Sequence, residues 1–105
     1  MPRAELSYLT IAVAAHVRAS MARQTPPVTQ LDLERVTGIP QSTLSRLLIP
    51  RQPMLVDQLD LICGALDVDP ALLLDSARQV VAEHQAGRRG RGETRPEQRS
   101  AASPD

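Results

Sequence analysis

Thr37-Gly38-Ile39-Pro40-Gln41-Ser42-Thr43-Leu44-Ser45-Arg46-Leu47 is the stretch that decides the fold of this 105-residue chain. Glycine takes positive φ without steric cost, so Gly38 lets the backbone reverse tightly after a helix. Ile39, Leu44 and Leu47 supply apolar anchors for a helix that follows, while Gln41, Ser42, Ser45 and Arg46 are left pointing outward. The segment reads as the turn and second helix of a helix-turn-helix. The outward side chains are of the types that pair with base edges and phosphates, which points to a DNA-binding regulator.

Upstream of the turn, Thr29 is a good N-cap, with Asp32 at the third helical position complementing the helix dipole. This predicts a short second helix ending at Thr37, with Gly38 as its C′ residue. Before it, Pro26-Pro27 stops a first helix spanning Leu6 to Arg23, whose stripe is Leu6, Leu9 or Thr10, Val13, Val17 and Met21. The third helix is expected over about Gln41 to Leu48, because Pro50 and Pro53 make the next residues a loop. Val56 to Leu66 forms a fourth, with Leu55, Leu59, Ile62 and Leu66 as its buried stripe. Asp69-Pro70 starts a fifth, as a cap followed by proline at the first helical position. That helix carries Leu72, Leu73, Ala77, Val80 and Val81 and is expected to fade near Ala86. The fold class is therefore all-α, a compact five-helix domain over residues 1–86. Residues 87–105, rich in Arg and Gly with hardly an apolar anchor, are expected to be a disordered tail.

Composition narrows the function. Twelve basic and twelve acidic residues cancel, but they are unevenly placed. Residues 1–53 hold six arginines against three acids, residues 54–86 one against six, and residues 87–105 five against three. This split suits a domain that turns one side to a polyanion and the other to solvent or a partner. The lone Cys63 excludes an internal disulfide and reads as a small buried apolar residue. No apolar run is long enough to span a bilayer and no signal peptide is evident, so a cytoplasmic, nucleoid-associated location is expected. His16 and His84 have no partners at ligand spacing, and Asp67 and Asp69 bracket a turn as helix caps. No triad, phosphate-cradling loop or catalytic carboxylate pair can be assembled, so neither an enzyme nor a metal or other cofactor is expected. Tyr8 is the only aromatic residue, which leaves no stacking platform and favours duplex DNA over RNA.

The span from Val28 to about Leu74 resembles the helix-turn-helix domain of phage Cro and cI repressors, the XRE family. Val28-Thr29-Gln30-Leu31-Asp32-Leu33 is similar to the family's opening, and residues 38–47 to its turn and recognition helix. Asp57-Gln58-Leu59 and Ala65-Leu66-Asp67-Val68-Asp69 resemble its fourth helix and the approach to the fifth. The resemblance implies a lambda-repressor-like fold and a repressor of a temperate phage or prophage acting by operator occupancy. It implies that Gln41, Ser42 and Arg46 read bases, with glutamine matching adenine and arginine matching guanine. It also implies that Thr29, Gln30, Thr43, Ser45, Arg51 and Gln52 meet the DNA backbone, Gln30 also bracing Gln41. Arg88, Arg89 and Arg91 read either as an arm along DNA phosphates or as a solvated linker.

The chain departs from the family pattern at three places. Glu34 stands where alanine is usual, and must tilt outward or pair with Arg35 or an arginine of the first helix, with Val36 rotating inward instead. Pro50 stands where glycine is common, which bears on the placement of Arg51. Gly64, inside the fourth helix, suggests a close helix approach.

The expected partner is a double-stranded operator. A homodimer through the fifth helix is the second expectation, using either the edge at Leu73, Ala77 and Val80 or that at Leu74 and Val81; a monomer on an asymmetric site is the alternative. A rival reading is an antitoxin-like module whose helices mask a protein partner and whose DNA binding is autoregulatory.

Overall fold

Ser7 opens the first helix: its hydroxyl accepts the amide of Thr10 at 3.1 Å, satisfying one of the donors that a helix N-terminus leaves free. α1 accordingly runs Tyr8–Arg23, starting two residues later than the apolar stripe suggests. The computed structural model describes residues 6–93, with side chains through residue 87. Within them the protein is all-helical, with α2 at Gln30–Thr37, α3 at Gln41–Leu48, α4 at Val56–Leu66 and α5 at Pro70–Glu93.

Local chemistry accounts for most boundaries. Thr29 and Asp32 cap α2 reciprocally: the Thr29 hydroxyl accepts the Asp32 amide at 3.1 Å, and the Asp32 carboxylate accepts the Thr29 amide at 2.9 Å. Gly38 ends α2 in the left-handed region at φ 79°, its amide donating to the Glu34 carbonyl. The Thr37 hydroxyl ties the turn by donating to the Leu33 carbonyl and accepting the Ile39 amide. Pro40 then opens α3, its carbonyl accepting the amides of Thr43 and Leu44 at 2.9 Å each. At α4, the Gln58 side chain reaches back to the Leu55 amide, 2.9 Å away. Asp67 closes that helix, itself left-handed at φ 57°. Asp69 caps α5 through the amide of Ala71 at 2.9 Å, with Pro70 at the first helical position.

α1 is the spine. It packs along α5 and also touches α3 and α4, while α2 rests on α3 and α4. The core gathers Val13, Val17 and Met21 of α1, Leu33, Ile39, the leucines at 44, 47 and 48, then Leu59, Ile62, Cys63 and Leu66, and finally Leu73 and Ala77. No helix among the described residues is long and apolar enough to cross a membrane.

Several further expectations need correction. α5 does not fade near Ala86 but continues to Glu93; three glycines in that stretch oppose helix, but its arginines favour it and extending an established helix fixes only one residue per added bond. The expected disorder of residues 87–93 is therefore not seen, and that of 94–105 lies outside the described residues. Leu55 is 63% exposed rather than part of the α4 stripe, because it is the cap residue just outside the helix. Val36 stays outside at 69% exposure; Glu34 is half-buried and keeps contact with water, so no inward rotation is required. Gly64 is exposed, with nothing within 4 Å of where a Cβ would stand, so it marks no close approach. On α5 the two supposed edges are not opposed. Leu73 and Ala77 are buried, Leu74 and Val81 pack at the core margin, and Val80 is left half exposed.

Candidate nucleic-acid interface

α3 is two turns long, and its burial pattern divides it lengthwise. Leu44, Leu47 and Leu48 are at most 1% exposed, and Ile39 just before the helix is also buried. These residues fix the inner side of the rod by removing apolar surface from water, the main favourable contribution in so small a domain. Gln41, Ser42 and Arg46 are exposed, with Ser45 half-buried between them. Gln41 and Ser45, like Ser42 and Arg46, are four residues apart, so they line neighbouring rows of one helix face.

That face is chemically unoccupied. None of the side chains of Gln41, Ser42, Ser45 and Arg46 bonds to another described residue, and the one ion pair among those residues joins Arg35 to Asp32 at 3.9 Å. Both members of that pair are exposed, so it contributes little. Arg46 and Arg51 therefore present guanidinium groups with no carboxylate partner among the described residues. At the N-terminal end of α3, Pro40 offers no side-chain cap, leaving the Gln41 and Ser42 amides free to donate.

The loop after α3 holds Arg51 in place. Its amide donates to the Arg46 carbonyl at 2.7 Å, so the proline at position 50 gives a closed turn where glycine was the family expectation. Arg51 is exposed beside the C-terminal end of α3, and Gln52 is half-buried.

The remaining backbone candidates are placed less favourably. The Thr29 hydroxyl is engaged as the α2 cap, and the carboxylate of Asp32 shares that end of the helix. The Thr29 amide, then its hydroxyl, and more weakly Arg35, hold the Asp32 carboxyl below the usual carboxylate range, so a negative charge already occupies the α2 N-terminus. Gln30 is half-buried and forms no hydrogen bond to Gln41, so the expected brace is absent from this structure; Thr43 is half-buried. The side chains of Arg88, Arg89 and Arg91 lie outside the described ones, although their backbone belongs to α5.

Arg18 is a residue the sequence reading does not single out. Its guanidinium donates to the Leu48 carbonyl at the end of α3. Just past α1, the side-chain amide of its C-cap residue Gln24 donates to the Leu66 carbonyl at the end of α4, 2.7 Å away. An arginine of the first helix was one expected partner for Glu34; the structure gives Arg18 to a backbone carbonyl instead. Contacts across 30 and 42 residues of sequence leave no local pattern to read.

The other titratable groups form no second centre. Burial pushes the Cys63 thiol up, with Asp60 and Asp69 adding to the effect. His16 shares a 2.8 Å hydrogen bond through Nδ1 with the Ala12 carbonyl of its own helix. No cluster of three or more metal-ligating side chains forms among the described residues. Set against known protein families, curated proteins and solved structures, the chain matches none of them.

Proposed function

We propose that this chain is a sequence-specific duplex-DNA-binding regulator, with a lambda-repressor-like helix-turn-helix in which α3 is the recognition helix. The observation that carries this reading is the lengthwise division of α3, buried through Leu44, Leu47 and Leu48 and bearing Gln41, Ser42 and Arg46 outward without partners among the described residues. A rod of helix dimensions fits the major groove, and those side chains match the donor and acceptor patterns displayed there. Gln41, Ser42 and Arg46 are the base-reading residues of the proposal; Thr43, Ser45 and Arg51 position the domain on phosphates. The role is transcriptional repression by occupancy of an operator, and a temperate-phage or prophage regulator is the favoured setting.

A second copy, if the site is palindromic, meets the first along α5 and the adjoining edge of α1, where Val80 and Ile11 are each 44% exposed near Tyr8. Half-sites one helical turn apart, about 34 Å, then follow from two-fold symmetry. Sedimentation over a concentration range separates this dimer from a monomer on an asymmetric site.

The test is selection of genomic fragments on the purified chain, followed by footprinting at low ionic strength. A discrete protected site supports the proposal, and its absence from every fragment overturns it.

A further inference from the structure

The recognition-helix assignment leaves open what holds the far end of α3, and the following inference rests on that assignment. The last four carbonyls of any α-helix lack partners within the helix. In α3 they belong to Ser45, Arg46, Leu47 and Leu48. The Ser45 carbonyl is taken by the Ile49 amide at 3.1 Å and that of Arg46 by the Arg51 amide at 2.7 Å. The Leu48 carbonyl is taken by Arg18, from a different helix.

Outside donors reach the ends of both α3 and α4, but the two helices stop differently. α2 and α4 both end on a left-handed residue, Gly38 at φ 79° and Asp67 at φ 57°, the geometry in which a chain closes its own C-terminus. α3 ends on Ile49 at φ −108° and ψ 90°. A β-branched residue resists the left-handed region, and the chain leaves α3 without that closure. A guanidinium at this end also opposes the partial negative charge of the helix C-terminus. Arg18 has no carboxylate partner among the described residues, so its hydrogen bond to α3 is not shared with an ion pair.

We propose that Arg18 is a positioning residue for DNA recognition: by clamping the Leu48 carbonyl it fixes the C-terminal end of α3, and so the angle at which Gln41, Ser42 and Arg46 meet the bases. It acts through α3 and touches no base. A two-turn helix pinned only by its leucines can rock about its long axis, and a small misplacement of an otherwise intact side chain weakens a bidentate contact.

The experiment compares the wild type, Arg18→Met and Arg18→Lys in the full chain. Affinity is measured at one salt concentration for the selected site and for unrelated duplex, alongside amide hydrogen exchange at residues 47–51. The clamp predicts that Arg18→Met remains folded, loses about tenfold or more on the selected site, loses much less on unrelated duplex, and exchanges faster at the end of α3. Arg18→Lys retains a donor and a charge and recovers most of both properties. Equal loss on both duplexes with unchanged exchange means that Arg18 acts only as a charge, and overturns the proposal. If the wild type binds no duplex selectively, the regulator reading falls. The exchange comparison then decides the clamp alone: faster exchange in Arg18→Met with recovery in Arg18→Lys sustains it, and unchanged exchange ends it.

Discussion

The ring of Tyr8 lies 4.3 Å from that of His84, centroid to centroid, tilted by 54°. This contact joins the first residue of α1 to a point more than halfway along α5, and it closes the long seam between the two helices. A tilted aromatic pair contributes about 1 kcal/mol beyond the area it covers. Tyr8→Ala is therefore expected to lower the thermal midpoint by roughly 4–8 °C for a domain of this size. A circular-dichroism melt reads the effect directly, and an unchanged midpoint means that the rings contribute nothing to the seam.

Gly38 and Gly64 respond in opposite directions to one substitution. Gly38 sits at φ 79° with nothing near the position of a Cβ, so Gly38→Ala meets no clash and suffers only the backbone penalty of the left-handed region, about 1–2 kcal/mol. Gly64 is helical and equally open. Gly64→Ala is expected to stabilise by about 1 kcal/mol, since alanine loses less entropy in a helix. Urea midpoints of both variants check the pair; a destabilised Gly64→Ala contradicts the open surroundings.

The cap of α2 gives a pH dependence of definite sign. The amide and hydroxyl of Thr29, then Arg35, hold the Asp32 carboxyl below its ordinary value. A group whose folded pKa is depressed contributes its full stabilisation above the unfolded pKa, about 4, and loses it as pH falls through the lower folded value. The stability advantage of wild type over Asp32→Asn should therefore be constant near neutrality and shrink below about pH 4. Melts of both proteins across this range decide the matter, and a gap that widens on acidification contradicts the assignment.

Under the proposed function, Gln41 and Arg51 differ in kind. Gln41→Ala is expected to cost roughly 1–3 kcal/mol on the selected site and to relax preference at one base pair. Arg51→Ala should weaken all sequences about equally and lower the salt slope by about 1. Titrations against the selected site, its single-base variants and unrelated duplex at several salt concentrations distinguish them. Equal weakening by Gln41→Ala on every sequence removes its reading role.

The elements that could be read from sequence were those with their own punctuation. Thr29 with Asp32, Gly38, and Asp69 with Pro70 each satisfy or terminate a helix end using neighbours within four residues, so α2, the start of α3 and the start of α5 fall where those residues stand. Ser7 carried the same information for α1, but the apolar stripe beginning at Leu6 drew the expected boundary two residues early. The end of α5 was not legible, because Gly87, Gly90 and Gly92 read as stop signals of that kind and the helix runs through them. Leu55 misled because hydrophobic spacing does not separate the first helical residue from the cap before it. At the candidate interface, the outward side chains of α3 followed from periodicity alone. The partners of Arg18 and Gln24 did not, since tertiary folding brings those side chains to their carbonyls.

That α1 and the Gln24 cap just beyond it supply hydrogen bonds to the ends of α3 and α4 limits how far the protein can be pared down. A peptide cut to residues 28–66 would keep α3 yet lose two end caps and the wall formed by Val13, Val17 and Met21. Under the proposed function, transplanting the reading surface onto another scaffold means bringing the helix that begins after Ser7 as well, and selection for altered operator choice has targets in a helix proposed to make no base contact.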